Sequence, residues 1–132
     1  MILLQIPGKP IPYAHHAGYG RHSYNPRQKE IDVIKMHLKS QYKDRVIISP
    51  VSIEMIFSFE PPASWSCKKR NRYIQEDIPH TVKPDTSNCY YLYENCLKGI
   101  VIKDDNQVYK MTAHKEWGTK AQTIIKIYVN ED

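Results

Sequence analysis

The chain has 132 residues, 41% of them hydrophobic, and a formal net charge of +5. A chain of that length fits one compact domain that buries roughly two-thirds of its unfolded surface. No apolar run approaches the ~20 residues that cross a bilayer as a helix, which excludes a helical membrane protein. The opening MILLQIPGKP lacks a basic segment before its apolar stretch and a small-residue cleavage site after it, so it reads as a strand, and a cytoplasmic protein is expected.

Charge and cysteines narrow the partners. Residues 1–50 carry eight Lys/Arg against three Asp/Glu, while residues 51–99 balance at six each and residues 100–132 at five each. Within the neutral middle, Lys68, Lys69, Arg70 and Arg72 crowd into five positions. Such a distribution attracts phosphate backbones or anionic surfaces, and equally describes an ordinary solvated face. Cys67, Cys89 and Cys96 form no CxxC or Cys/His zinc pattern. Cys89 and Cys96 fall in one helical stretch with ~10 Å of rise between them, beyond the ~7 Å that a disulfide tolerates. Reduced thiols are expected.

In chain order, residues 2–6 predict a strand closed by Pro7-Gly8. Residues 8–24, rich in Gly and Pro and carrying His15, His16 and His22, have no period and predict a long loop. Asn25-Pro26 predicts a helix start, with Asn25 as N-cap and Gln28 at N3, followed by Ile31, Ile34, Leu38 and Tyr42 at helical spacing. VSIEMIFSF, residues 51–59, alternates as a strand, and Pro61-Pro62 closes it. Ser64 is placed to cap a short helix carrying Trp65 and the KKRNR run, and residues 79–84 are expected to be extended. A second long helix fits residues 86–98, with Gly99 just past its end. Its apolar arc is Cys89, Leu92, Tyr93, Cys96 and Leu97; Asn88, Tyr91, Asn95 and Lys98 share another arc. Residues 107–117 and 121–129 complete the strands. The expected fold is α+β: a single domain, 1–132, with a mixed sheet of about four strands and two main helices packed on one face.

The sharpest chemistry lies between His80 and Gln107. Asp85 stands before a helix, where a carboxylate caps free N–H groups, and Asp104-Asp105 precedes Asn106 in what reads as a turn. Taken together they allow another arrangement. If Ile100-Val101-Ile102 returns the chain to the helix start, three carboxylates converge at a sheet edge. Their mutual repulsion is relieved by a hard divalent cation, Mg²⁺ or Mn²⁺, of the kind that serves phosphodiester hydrolysis.

The series P-G-K-P-I-P, W-S-C-K-K-R, H-T-V-K-P-D-T-S-N, C-L-K-G and D-D-N-Q-V, running in order from Pro7 to about Lys115, resembles the RusA family of Holliday-junction resolvases. The resemblance implies a metal-dependent endodeoxyribonuclease that cuts four-way DNA junctions as a homodimer in recombination and repair. It implies Asp85, Asp104 and Asp105 as metal-binding and catalytic carboxylates, with Asn88 beside them. Lys68, Lys69, Arg70, Arg72, Lys83 and Lys115 are the expected DNA-binding cations. The sequence departs from the pattern at Ser87, where a second Asp is usual, and at Tyr91, where a Lys is usual. Asn95 replaces another Asp, and Tyr13, His15 and His16 stand where basic residues follow G-K-P-x-P. These departures leave open a fold that binds branched DNA without cutting it. A third class, a basic module stacking RNA bases on some of its ten tyrosines, is unrelated to the resemblance.

Overall fold

Alternation of apolar residues builds the centre of the molecule. In the computed structural model, which describes residues 1–14 and 25–130, strand β2 spans Val51–Phe59 and buries Val51, Ile53, Met55, Phe57 and Phe59 almost completely. Strand β1 is Ile2–Pro7, β3 is Val108–Trp117 and β4 is Gln122–Val129. They form one mixed sheet in the order β1-β4-β2-β3, with β2 and β3 parallel and the other neighbours antiparallel. The parallel pair needs a crossover, and two helices supply it: α2 (Cys67–Gln75) and α3 (Thr86–Leu97).

Helix α1 (Gln28–Gln41) packs on β1, and α3 packs on β2 and β3, with the two helices touching each other. Ile34 and Leu38 of α1 and Cys89, Leu92, Tyr93, Cys96 and Leu97 of α3 are buried against Leu4, Ile6, Ile125 and Ile127 of the sheet. The apolar arc expected on α3 is thus the buried one. The expected α+β sheet of four strands is present, with a third, shorter helix that buries none of its residues.

Three boundaries differ from expectation, each for a local reason. The Asn25 side chain accepts the Arg27 amide at 2.9 Å, closing a turn, so α1 begins at Gln28 rather than Pro26. Ser66, not Ser64, caps α2, its hydroxyl accepting the Lys69 amide at 3.2 Å. A 3₁₀ turn, Asp105–Gln107, precedes β3. His15, His16, Arg21 and His22 lie outside the described residues.

The two sheet edges are unlike. On β1, Gln41 of α1 reaches the strand: its carbonyl accepts the Gln5 amide at 2.9 Å and its amide donates to the Gln5 carbonyl at 2.6 Å. On β3, Tyr109 through Thr112 are exposed, and among the described residues the strand has β2 as its one neighbour.

Candidate functional site

Asp85 occupies the N-cap position of α3 in an extended conformation, yet its side chain makes no capping bond. Its carboxylate instead accepts from Lys83 Nζ at 3.2 Å, and both groups are exposed. The capping role open to Asp85 is therefore not taken, and the acid faces solvent. Behind it, Lys115 of β3 donates to the carbonyls of Val82 at 2.6 Å and Pro84 at 2.8 Å, fastening the approach to α3 onto the sheet. Asn88, one turn along α3, is exposed.

The other two acids divide the work between them. Asp104 accepts the Asp105 amide at 2.8 Å, and Gln107 Oε1 accepts the Asp104 amide at 3.0 Å, a reciprocal cap on the 3₁₀ turn. The Asp105 amide, with further help from Lys98 and Lys103, holds the Asp104 carboxyl below its ordinary range. Gln107 also donates to the carbonyls of Ile47 and Ser49, both at 2.8 Å, so the turn is pinned to the body. Asp105 serves no cap and lies 3.7 Å from Lys98 Nζ.

That contact overturns the expected convergence. Lys98 closes the C-terminal end of α3 and Asp85 opens its N-terminal end, ~18 Å apart for twelve helical residues. The sheet gives the same ruler: Lys115 sits by Asp85, while Val108, next to the 3₁₀ turn, lies seven residues back along β3, ~23 Å away. The intervening turn does not run back along the helix, because the amides of Ile100, Val101 and Ile102 all turn back onto the Leu97 carbonyl. The structure brings Asp104 and Asp105 together and sets Asp85 at the opposite end of α3. Among the described residues, no group of three or more His, Cys, Asp or Glu side chains is placed to hold a metal ion. A cation held by all three carboxylates of one chain does not fit this geometry.

The basic run sits on α2, at the ends of β2 and β3. An aromatic stack anchors it: His80 lies on Trp117 with ring centres 4.0 Å apart, Trp65 meets Trp117 at 5.5 Å, and Tyr73 meets Trp65 at 4.7 Å. Lys69 Nζ stands 4.0 Å above the Trp65 ring, and Arg72 pairs with Glu76 at 3.0 Å. Lys68 is exposed and Arg70 half-buried. Sequence reasoning missed this stack, because its members come from four segments with no shared period.

The two departures at Tyr13 and Tyr91 meet. Their rings pack edge to face, centres 4.8 Å apart at 79°, and the Tyr13 amide donates to the Asn88 carbonyl at 3.0 Å. Positions where the family pattern places cations are joined here by aromatic contact.

All three cysteines are free thiols, Cys67 exposed and Cys89 and Cys96 buried, and burial pushes both buried thiols up to about 11. No described helix is long and apolar enough to cross a membrane. No curated protein matches the chain. The family model for endodeoxyribonuclease RusA matches residues 6–128, from the end of β1 to the end of β4 and through every acidic position described above, and the chain belongs to that family.

Proposed function

We propose that this protein is a metal-dependent, structure-selective DNA endonuclease that hydrolyses phosphodiester bonds at four-way junctions, working as a cytoplasmic homodimer. One observation carries the reading. In a member of the RusA family, the carboxylates of Asp85 and Asp105 are both solvent-accessible and neither is consumed by a helix cap. Carboxylates left in this state are available for chemistry.

The distance between them supports a dimer. Asp85 of one copy needs Asp105 from elsewhere, and a second copy supplies it. Antiparallel pairing of β3 with a partner's β3 about a two-fold axis exchanges the strand ends. The Lys115–Asp85 end of one copy then meets the Asp105–Val108 end of the other. The exposed edge of β3 favours this, since an unpaired edge strand is a ready template for another chain. Two composite acidic sites result, matching the two cuts a symmetric junction requires. In this arrangement Asp85, Asp104 and Asp105 would hold Mg²⁺ or Mn²⁺, which when bound polarises the phosphate and activates water. Asn88, on the exposed side of α3, is placed to donate to a phosphate oxygen, and Lys83 offers a cation beside Asp85. Lys68, Lys69, Arg70 and Arg72 extend the DNA-binding surface. Lys115 acts through the backbone it fastens.

Ser87 and Tyr91 favour a second reading, a RusA fold that binds branched DNA without cutting it. A labelled four-way junction and a linear duplex, each incubated with Mg²⁺, Mn²⁺ or EDTA, separate the two. Junction cutting that EDTA abolishes, with the duplex left whole, is expected. Tight junction binding with no cutting under any metal would establish the second reading instead.

A further inference from the structure

An open sheet ends in two edges, and each presents outward-facing N–H and C=O groups that another chain can pair with. On β1 these groups can be assigned. The Gly8 amide, just past the strand, donates inward to the Ala121 carbonyl at 3.1 Å, and inward and outward residues alternate along an antiparallel ladder. Leu4 and Ile6 therefore face β4, while Leu3, Gln5 and Pro7 turn their backbone groups outward. Pro7 has no N–H to offer. Gln5 has both groups, and the Gln41 carboxamide occupies both: Oε1 accepts the Gln5 amide at 2.9 Å and Nε2 donates to the Gln5 carbonyl at 2.6 Å. A carboxamide carries the donor and the acceptor of a peptide group, so this pair copies what a fifth strand would supply. Within β1, Leu3 alone keeps an outward pair that no described side chain covers.

The other edge is built differently. β3 contains no Pro, and among the described residues no side chain hydrogen-bonds to its backbone. The contrast decides how far self-association runs. Were both edges open, a copy paired through β3 could add another through β1, and the array would not close. With β1 sealed, two-fold pairing through β3 leaves no edge for a third copy. We infer that Gln41 is an edge guard: its carboxamide withholds β1 from a second copy of this chain and confines strand pairing to β3. The inference rests on the β3 pairing proposed above and adds to it the reason assembly stops at two. Gln41 is the exposed last residue of α1, so exchanging it tests the guard without touching the core.

Sedimentation velocity over a concentration series provides the test. Wild-type protein is expected to stop at the dimer. Gln41→Ala, an exchange helices favour, should form species larger than a dimer at a concentration at least about tenfold below any at which wild type does, the scale of two released hydrogen bonds. Gln41→Met, which keeps the length of the side chain and loses both polar atoms, takes its place should Gln41→Ala fail to fold. Gln5→Pro added to either variant removes the amide that Gln41 covers, with no loss of a bond to β4, and should restore the dimer; circular dichroism checks that each protein is folded. A folded Gln41→Ala protein that stays dimeric would overturn the inference. So would larger species that persist after Gln5→Pro, since they would form through another surface. A wild-type monomer, beside a Gln41→Ala protein that assembles and is reversed by Gln5→Pro, would sink the β3 pairing and leave the guard standing.

Discussion

Asp104 accepts the amide of its neighbour while Asp105 reaches out to Lys98, so two adjacent carboxylates carry different consequences when neutralised. Asparagine caps turns about as well as aspartate, so Asp104→Asn should fold like the natural protein. Asp85→Asn and Asp105→Asn should each abolish junction cutting and weaken Mn²⁺ binding while leaving the melting temperature within a few degrees; calorimetry and circular dichroism check both. The Asp104 carboxyl lies below its ordinary value, so the stability its cap contributes is present above pH 3.8 and is lost only as pH falls through the lower folded value. Ser87 is exposed in the first turn of α3. Aspartate there meets the positive end of the helix, worth ~0.3–1 kcal/mol, and restores a charged oxygen two residues from Asp85. Ser87→Asp should raise the single-turnover cutting rate at least about tenfold, or ~1.4 kcal/mol in barrier. An unchanged or lower rate in the folded variant would place the missing charge elsewhere.

The elements that repeat a period were legible in the chain. VSIEMIFSF declares β2 by strict alternation, and the Cys89–Leu97 arc declares the buried side of α3. Gly99 was legible as well: at φ +82° it holds the left-handed turn that ends α3 and leads towards Asp104. Nothing lies within 4 Å of where its side chain would be, so Gly99→Ala tests conformation alone. It should cost about 1–2 kcal/mol in urea unfolding. The separation of Asp85 from Asp105 was not legible, because sequence gives the length of a helix but not whether the following turn doubles back or curls. The aromatic stack under α2 was hidden for the same reason, being assembled by tertiary contact. It holds both tryptophans, Trp65 and Trp117, and is therefore what tryptophan emission reports. Burial, and then Lys115, lower the pKa of His80 from its ordinary 6.5. The folded state thus favours the neutral ring, and the stability gained is full above pH 6.5 and lost as pH falls through the lower folded value. Tryptophan emission should change with a midpoint below pH 6.5 and lose that transition in His80→Phe. A midpoint at or above 6.5 would contradict the assignment.

At the scale of the whole molecule, four cations cluster on α2 and the acids are split between two ends of one helix. The cations of α2 are not equivalent: Lys69 rests over Trp65 and Arg72 is paired with Glu76, while Lys68 is exposed. Replacing Lys68, Lys69, Arg70 and Arg72 together by Ala should flatten the salt dependence of junction binding by roughly two to four units, at about 0.9 per phosphate contact; an unchanged slope would move the footprint elsewhere. The split acids make the central claim, that two copies complete each cutting site, directly measurable. Asp85→Asn and Asp105→Asn proteins are each assayed alone on a labelled four-way junction with Mn²⁺, then mixed and reassociated before assay. In a mixed dimer one composite site loses both carboxylates and the other keeps both. Each variant alone is predicted to be inactive, and the mixture to regain nicking of one junction strand. A mixture as inactive as its components, beside active wild-type protein, would contradict the account.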